Sequence, residues 1–388
     1  MTTLHIRHPL AVALLALAAS ALTGLALAAA AGADPATVVD ALVEGTLGSP
    51  FAVGTSLNNA ALLMLVAAGF TVAYRAGLVN VGGEGQICLG GIAATAVGVS
   101  LPDDLPLPIG LTLTLLAAVL AGAGWAAVAA WLKIRRGTSE IITTLLLNFV
   151  GLALVVLMVQ EPSLLRQPMT SSETLPQSER LADSAHLPLL GLPRNPATIA
   201  VVLAVLAVLA VGIVLRHSTV GLRLRSVGLS ATAAARFGVP VDRTAFLGLA
   251  AAGGFSGLAG GLLVASTPFV LAEGFSSGFG FSGLVVGLLA RGSMTAVIGV
   301  SVLFGFLVSG GINLQLAAGV PASTVTVVQS VLIILIAGAA WWTSTAKPAN
   351  RSARADHQLA GDEAGDEGLD SGAVVRKPAD DETEEVRA

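Results

Sequence analysis

Charge is what this 388-residue chain has least of: 11% of its residues are charged, against about 25% in a soluble domain. A water-facing surface over a globule of this size needs more than that, so a soluble enzyme is excluded. Cysteine occurs once, at Cys88, which excludes an internal disulfide and any cysteine-based metal cluster. Its apolar surroundings read as those of a packed small hydrophobe rather than a reactive thiol. Lysine occurs three times, at Lys133, Lys347 and Lys377, and none follows a glycine-rich loop, so there is no Walker-type nucleotide site. The five histidines, His5, His8, His186, His217 and His357, are too scattered for a metal centre. No acid, base and nucleophile gather at one depth. No metal, cofactor or catalytic residue is expected, and the chain does not read as an enzyme.

What is abundant is apolar sequence, with 54% hydrophobic residues and a mean hydropathy of +0.84. Several runs of about 20 apolar residues are each long enough to cross a hydrocarbon core of about 30 Å. They do not alternate with period two, as the strands of a membrane barrel would. The expected fold is an all-α polytopic membrane protein with about ten transmembrane helices. The expected spans are 10–32, 51–73, 78–101, 108–132, 141–160, 197–215, 245–266, 275–290, 294–312 and 323–342. The first is longer than the apolar core of a secretory signal, so it is taken as an uncleaved helix. The expected division is a transmembrane domain, 1–342, and an acidic tail, 343–388. The tail holds 11 acids and 6 bases, while the remainder holds 13 acids and 14 bases. With so little large apolar sequence, the tail is expected to be disordered and cytoplasmic.

Orientation follows from the cations. With the N-terminus inside, inner loops hold 11 Lys and Arg residues before the tail, including Arg75, Lys133, Arg216, Arg225 and Arg291. Outer loops hold 3, namely Arg166, Arg180 and Arg194. The pattern places both termini inside. Two loops are long. The outer one, 161–196, carries six prolines and reads equally as a solvated linker or as a docking surface for an extracytoplasmic partner. The inner one, 216–243, contains a complete helix signal: Ser230 as N-cap, a helix-forming stretch from Ala231 to Phe237, Gly238 at C′ and Pro240 beyond. It describes a short rigid helix between basic flanks, just beneath the membrane.

The most informative polar stretch is Gly77-Leu78-Val79-Asn80-Val81-Gly82-Gly83-Glu84-Gly85-Gln86. An acid within a span costs roughly 2.5–3.5 kcal/mol on insertion scales. Three roles stand for Glu84: a hydrated residue at the end of its span, a contact for a translocated solute, or a brace that holds a broken helix in shape. A second glycine-rich stretch, Gly274-Phe275-Ser276-Ser277-Gly278-Phe279-Gly280-Phe281-Ser282-Gly283, recurs late. The two would be broken or re-entrant counterparts in an inverted repeat. Asn148 lies mid-span beyond Thr143 and Thr144. It reads as an interhelical hydrogen-bonding group or a ligand contact. Phe279 and Phe281 offer rings to a planar solute or to the core.

These stretches carry a resemblance. The first glycine-rich run is followed in order by Thr143-Thr144-Leu145-Leu146-Leu147-Asn148, Gly221-Leu222-Arg223-Leu224-Arg225-Ser226-Val227-Gly228, Ala233-Ala234-Ala235-Arg236-Phe237-Gly238-Val239 and Gly280-Phe281-Ser282-Gly283-Leu284-Val285-Val286-Gly287. Together they resemble the permease subunits of bacterial ABC importers of the branched-chain amino acid and ribose type, within the nucleoside and simple-sugar branch. The resemblance implies a multi-pass protein of the bacterial cell membrane that moves a small polar solute by alternating access. It implies separate cytosolic ATPase subunits, a second permease subunit (identical or paralogous) and an extracytoplasmic solute-binding lipoprotein. It assigns ATPase coupling to Ser230, Ala231, Thr232, Ala233, Ala234, Ala235, Arg236, Phe237 and Gly238. The translocation path is expected to involve Asn80, Glu84, Gln86, Asn148, Phe279 and Phe281. The alternative is an ion-coupled secondary transporter, which would need more ionisable groups deep in its spans than Glu84 and, near span ends, Glu140 and Glu273.

Overall fold

The computed structural model describes residues 34–168 and 175–318, with isolated positions at 22, 23, 26, 29, 327, 330 and 331. The described residues contain eleven complete α-helices: α1 (Pro35–Thr46), α2 (Pro50–Arg75), α3 (Gly83–Ser100), α4 (Leu107–Arg136), α5 (Glu140–Gln160), α6 (Ala200–His217), α7 (Thr219–Leu229), α8 (Ala231–Arg236), α9 (Val241–Val264), α10 (Phe279–Ala290) and α11 (Met294–Ala318). The eight expected spans from 51 to 312 each coincide with one of these helices, their ends shifted by up to about two turns. Six of the eight are long and apolar enough to cross a membrane, and α10 is a shorter apolar helix. The expected total of ten also counts 10–32 and 323–342, which lie outside the described residues apart from isolated positions, as does the tail.

Two helices were not anticipated. In α1, Asp34 caps the N-terminus by accepting from the Thr37 N–H at 3.1 Å, with Pro35 in the first turn. Its Val38 and Ala41 are buried, and it packs on α11. At 12 residues it is too short to span, so a search for long apolar runs passes over it. In α7, Ser218 is the N-cap, accepting from the Gly221 N–H. The inner loop is therefore two consecutive helices, α7 and α8, with one cap residue, Ser230, between them.

The centre of the fold is formed by α2 and α9. Residues Ala60 to Ala73 of α2 are buried without interruption. The small residues of α9 let it approach α3 and α4 closely: a Cβ on Gly257 would strike the Ala118 carbonyl of α4. Around this centre, α5 and α6 show the two faces that a lipid-bounded helix requires. On α5, Ile142, Leu146 and Phe149 are exposed, while Thr144, Asn148, Gly151, Val155 and Val159 are buried. On α6, Leu206, Leu209 and Ile213 form a similar outer stripe. These apolar outward faces belong against acyl chains.

The packing pairs the two halves of the chain reciprocally. The central helix of each half contacts the glycine-preceded helix of the other: α2 packs on α10 and α9 on α3. It also contacts the long helix that follows: α2 packs on α11 and α9 on α4.

The described part of the outer loop is docked on the helices rather than being a solvated linker. Its backbone bonds to both halves: the Ala182 N–H donates to the Gly98 carbonyl at 2.9 Å, and the Leu187 N–H to the Ala265 carbonyl at 2.8 Å. The Asn58 side chain donates to the Pro196 carbonyl and accepts from the Thr198 N–H. His186 stacks on Phe269 with ring centroids 3.8 Å apart, and the Arg180 guanidinium lies 5.2 Å from the same ring.

Candidate translocation site

The helix α2 ends where Gly77 takes a positive φ of 75°, with the Leu78 N–H returned to the Ala73 carbonyl. The chain then runs without helix from Leu78 to Val81 and re-enters helix at Gly83. The second break is built alike. Gly278 has φ 75° immediately before α10. At 12 residues α10 is about 18 Å long, little more than half a hydrocarbon core. Its C-terminal end lies beside that of α2, where the Arg75 guanidinium donates to the Gly292 carbonyl at 2.6 Å. Its N-terminus is partly enclosed by the protein: Phe279 and Gly280 are buried, while Ser277 before them is exposed.

There it meets the N-terminus of α3. One oxygen of Glu84 accepts from the Gly278 N–H at 3.1 Å, and the other from the Gly280 N–H at 2.7 Å. Gly280 lies against the backbone of Gly83 and Glu84 so closely that any Cβ there would overlap the Glu84 nitrogen. Two helix N-termini, each with unsatisfied N–H groups and a partial positive charge, are thus held together by one carboxylate. Each charge-assisted bond contributes roughly 1.5–3 kcal/mol, and each helix terminus roughly 0.3–1 kcal/mol. Two such bonds offset the burial cost of about 2.5–3.5 kcal/mol. Glu84 is 3% exposed, so the hydrated-end reading is overturned; its geometry is that of the brace.

The other polar residues complete this knot. Asn80 and Gln86 form a reciprocal amide pair, both bonds at 3.0 Å, and the Asn80 carbonyl oxygen also accepts from the Gly82 N–H. Asn148 reaches from α5 to both sides of the break. It accepts from the Gly85 N–H at 2.8 Å and donates to the Val81 carbonyl at 2.9 Å. Thr144, one turn earlier on the same face, accepts from the Val81 N–H at 3.2 Å. Asn80, Gln86 and Asn148 are all buried. The hydrogen bonds therefore satisfy the backbone that the break leaves unpaired.

The two phenylalanines do not act as a pair. Phe279 is buried in the core with Val286 and Ala290, whereas Phe281 is 40% exposed. Two residues apart on a helix, they point in nearly opposite directions. Thr144 and the backbone N–H groups of Gly278 and Gly280 were absent from the expected set. For Thr144 a signal exists in the sequence, since it shares one face with Asn148 at a spacing of i, i+4.

At the end of the molecule marked by Arg75 and Arg291, α8 sits as the sequence indicates. The Ser230 Oγ accepts from the Ala233 N–H at 3.2 Å, and Gly238 takes φ 78°. Phe237 is 88% exposed and Leu229 82% exposed, while Ala234 is 3% exposed. Ser230, Ala231, Thr232, Ala233, Ala235, Arg236 and Gly238 are exposed. Ala234 alone among them faces inward.

The family described as the permease component of branched-chain amino acid transport systems matches residues 52–337. This chain belongs to that family. It is a multi-pass membrane permease subunit, a transport component rather than an enzyme. Among its relatives is the glucose ABC transporter permease protein TsgB13 of Haloferax volcanii, 35% identical over 82% of this chain and 84% of the relative. The guanosine ABC transporter permease protein NupP of Bacillus subtilis is 29% identical over 86% of this chain and 93% of its own. The nucleoside ABC transporter permease protein NupB of Lactococcus lactis subsp. cremoris is 28% identical over 84% and 90%. No solved structure matches the permease.

Proposed function

We propose that the permease forms the translocation path of an ATP-driven importer for a small polar solute, a nucleoside or a simple sugar. The observation that carries this reading is the Glu84 clamp. It joins the N-terminus of α3 to that of the half-helix α10, from opposite halves of the chain, at a buried junction of the kind that broken helices form in alternating-access transporters. The names of the relatives, which act with guanosine, nucleosides or glucose, support the solute class. In this reading Asn80, Glu84, Gln86 and Asn148 shape the path from behind, and Phe281 is the ring of the pair free to touch solute.

The helix α8 is the coupling element. Its cap holds it rigid, and the exposed Phe237 and Leu229 give an ATPase subunit an apolar contact. The partners are cytosolic ATPase subunits, a second permease subunit and an extracytoplasmic solute-binding lipoprotein, for which the docked outer loop is the meeting surface. Both Glu84 oxygens accept backbone N–H groups, which leaves this acid poorly suited to carry a coupling ion and weakens the ion-coupled alternative.

The test is uptake in proteoliposomes holding the assembled complex. Transport of guanosine or glucose should require internal ATP and continue after ion gradients are collapsed. Uptake that ignores ATP and stops with the gradients would overturn the proposal.

A further inference from the structure

A cavity of about 590 Å³ lies at the end of the molecule marked by Arg75, away from the Glu84 junction. Five cationic or titratable side chains line it: Arg75, Arg216, His217, Arg225 and Arg291. No aspartate or glutamate does. Arg75 is fixed by its bond to the Gly292 carbonyl. The remaining four make no ion pair among the described residues. Four guanidinium groups around one space repel each other, and no carboxylate lines the cavity to offset that repulsion.

The lining also has an apolar part: Leu209, Gly212 and Ile213 of α6 and Ile298 of α11. Leu209 and Ile213 are exposed and continue the outward stripe that begins at Leu206. The cavity therefore combines an apolar strip continuous with a face built for acyl chains and a set of exposed guanidinium groups. A soluble anion has no use for the first, and a neutral lipid has none for the second.

We propose that this cavity binds one anionic phospholipid. Its phosphate would be held by Arg216, Arg225 and Arg291, and an acyl chain would lie along Leu209 and Ile213. Guanidinium groups suit the phosphate because their planar donors bind it in pairs. Basic pockets between membrane helices recognise headgroups by this chemistry. The cavity is bordered by α6, α7 and the turn between α10 and α11. A bound lipid would therefore tie the half-helix α10 to the segment that carries α8.

The test is lipid retention by the full chain purified in detergent micelles, measured by native mass spectrometry with phosphatidylglycerol and phosphatidylcholine. This readout involves no transport, so it stands apart from the proposed function. The wild type should retain phosphatidylglycerol about tenfold over phosphatidylcholine. The Arg216→Gln/Arg291→Gln double variant should lose that preference, and Arg225→Gln alone should reduce it should the double variant not fold. Arg223→Gln, an exposed arginine outside the cavity, should keep it. Equal retention of both lipids by the wild type would overturn the proposal, as would an unchanged preference in the variants. Retention of inorganic phosphate by the wild type with no preference between the two lipids would assign the basic residues to a soluble anion and overturn the lipid.

Discussion

The carboxylate of Glu84 and the backbone nitrogen of Gly280 lie 2.7 Å apart across 196 residues of sequence. They join the first turn of α3 to the first turn of α10. Because Gly278 donates to the second oxygen, the contact resists rotation as well as separation. The two helices are set to move as one body, or to part in a single step.

Glu84→Gln tests that joint. One acceptor oxygen becomes an amide NH₂, which faces a backbone N–H that it cannot accept. The variant should still reach the membrane. Its solubilised form should lose about 1.5–3 kcal/mol of stability, the value of a charge-assisted bond, and solute uptake should fall at least in proportion. Wild-type melting together with wild-type uptake would show that the carboxylate braces nothing.

Gly280→Ala asks whether close approach matters. A Cβ at this site overlaps the Glu84 backbone, whereas one at Gly299 of α11 meets nothing within 4 Å. Gly280→Ala should sharply reduce the yield of folded protein. Gly299→Ala should be neutral or gain up to about 1 kcal/mol from helix propensity. Detergent-extracted yield and melting temperature separate the two, and equal behaviour would count against the packing described.

Asn148→Leu removes a side chain that serves two buried backbone groups at once. Leaving the Gly85 N–H and the Val81 carbonyl unpaired should cost about 1–3 kcal/mol each. Asn148→Asp keeps the acceptor but buries a charge and sets an oxygen against the Val81 carbonyl, so it should be the more damaging in a thermal unfolding assay. The opposite order would mean that solvent already reaches the break.

For α8 the informative site is Phe237, not Ala234. Ala234 faces inward, so a large charged residue there would damage packing and confuse folding with coupling. Phe237→Glu should leave yield and melting unchanged, because the ring touches little of its own chain. It should abolish ATPase stimulation by solute in the assembled complex. Stimulation at the wild-type level would remove α8 from the coupling route.

Much of this was legible in the chain. Six of the eight central spans follow from apolar runs whose length matches a bilayer, and the other two from apolar runs that follow glycine-rich breaks. The helix α8 follows from Ser230, Gly238 and Pro240, because caps are local chemistry. The fates of Asn80, Glu84, Gln86 and Asn148 were not legible in the same way. Each is a polar residue in an apolar run, and the same letters would serve a solute contact, a hydrated end or a brace. The helix α1 was missed for another reason. Its signal, Asp34 before Pro35, lies in a segment too short to span, and its buried face is defined mainly by α11.

The amino-acid sequence by itself determined that this protein lives in a membrane, where its long apolar helices lie to within about two turns, and which turns break them. Those properties depend on solvent and on neighbours within a few residues. Only the tertiary structure decided that the Glu84 carboxylate caps a helix 194 residues away and that Asn148 bridges a break 63 residues distant. A buried hydrogen-bonding group must find a partner, but in a chain of this length the partner is chosen by how the helices pack.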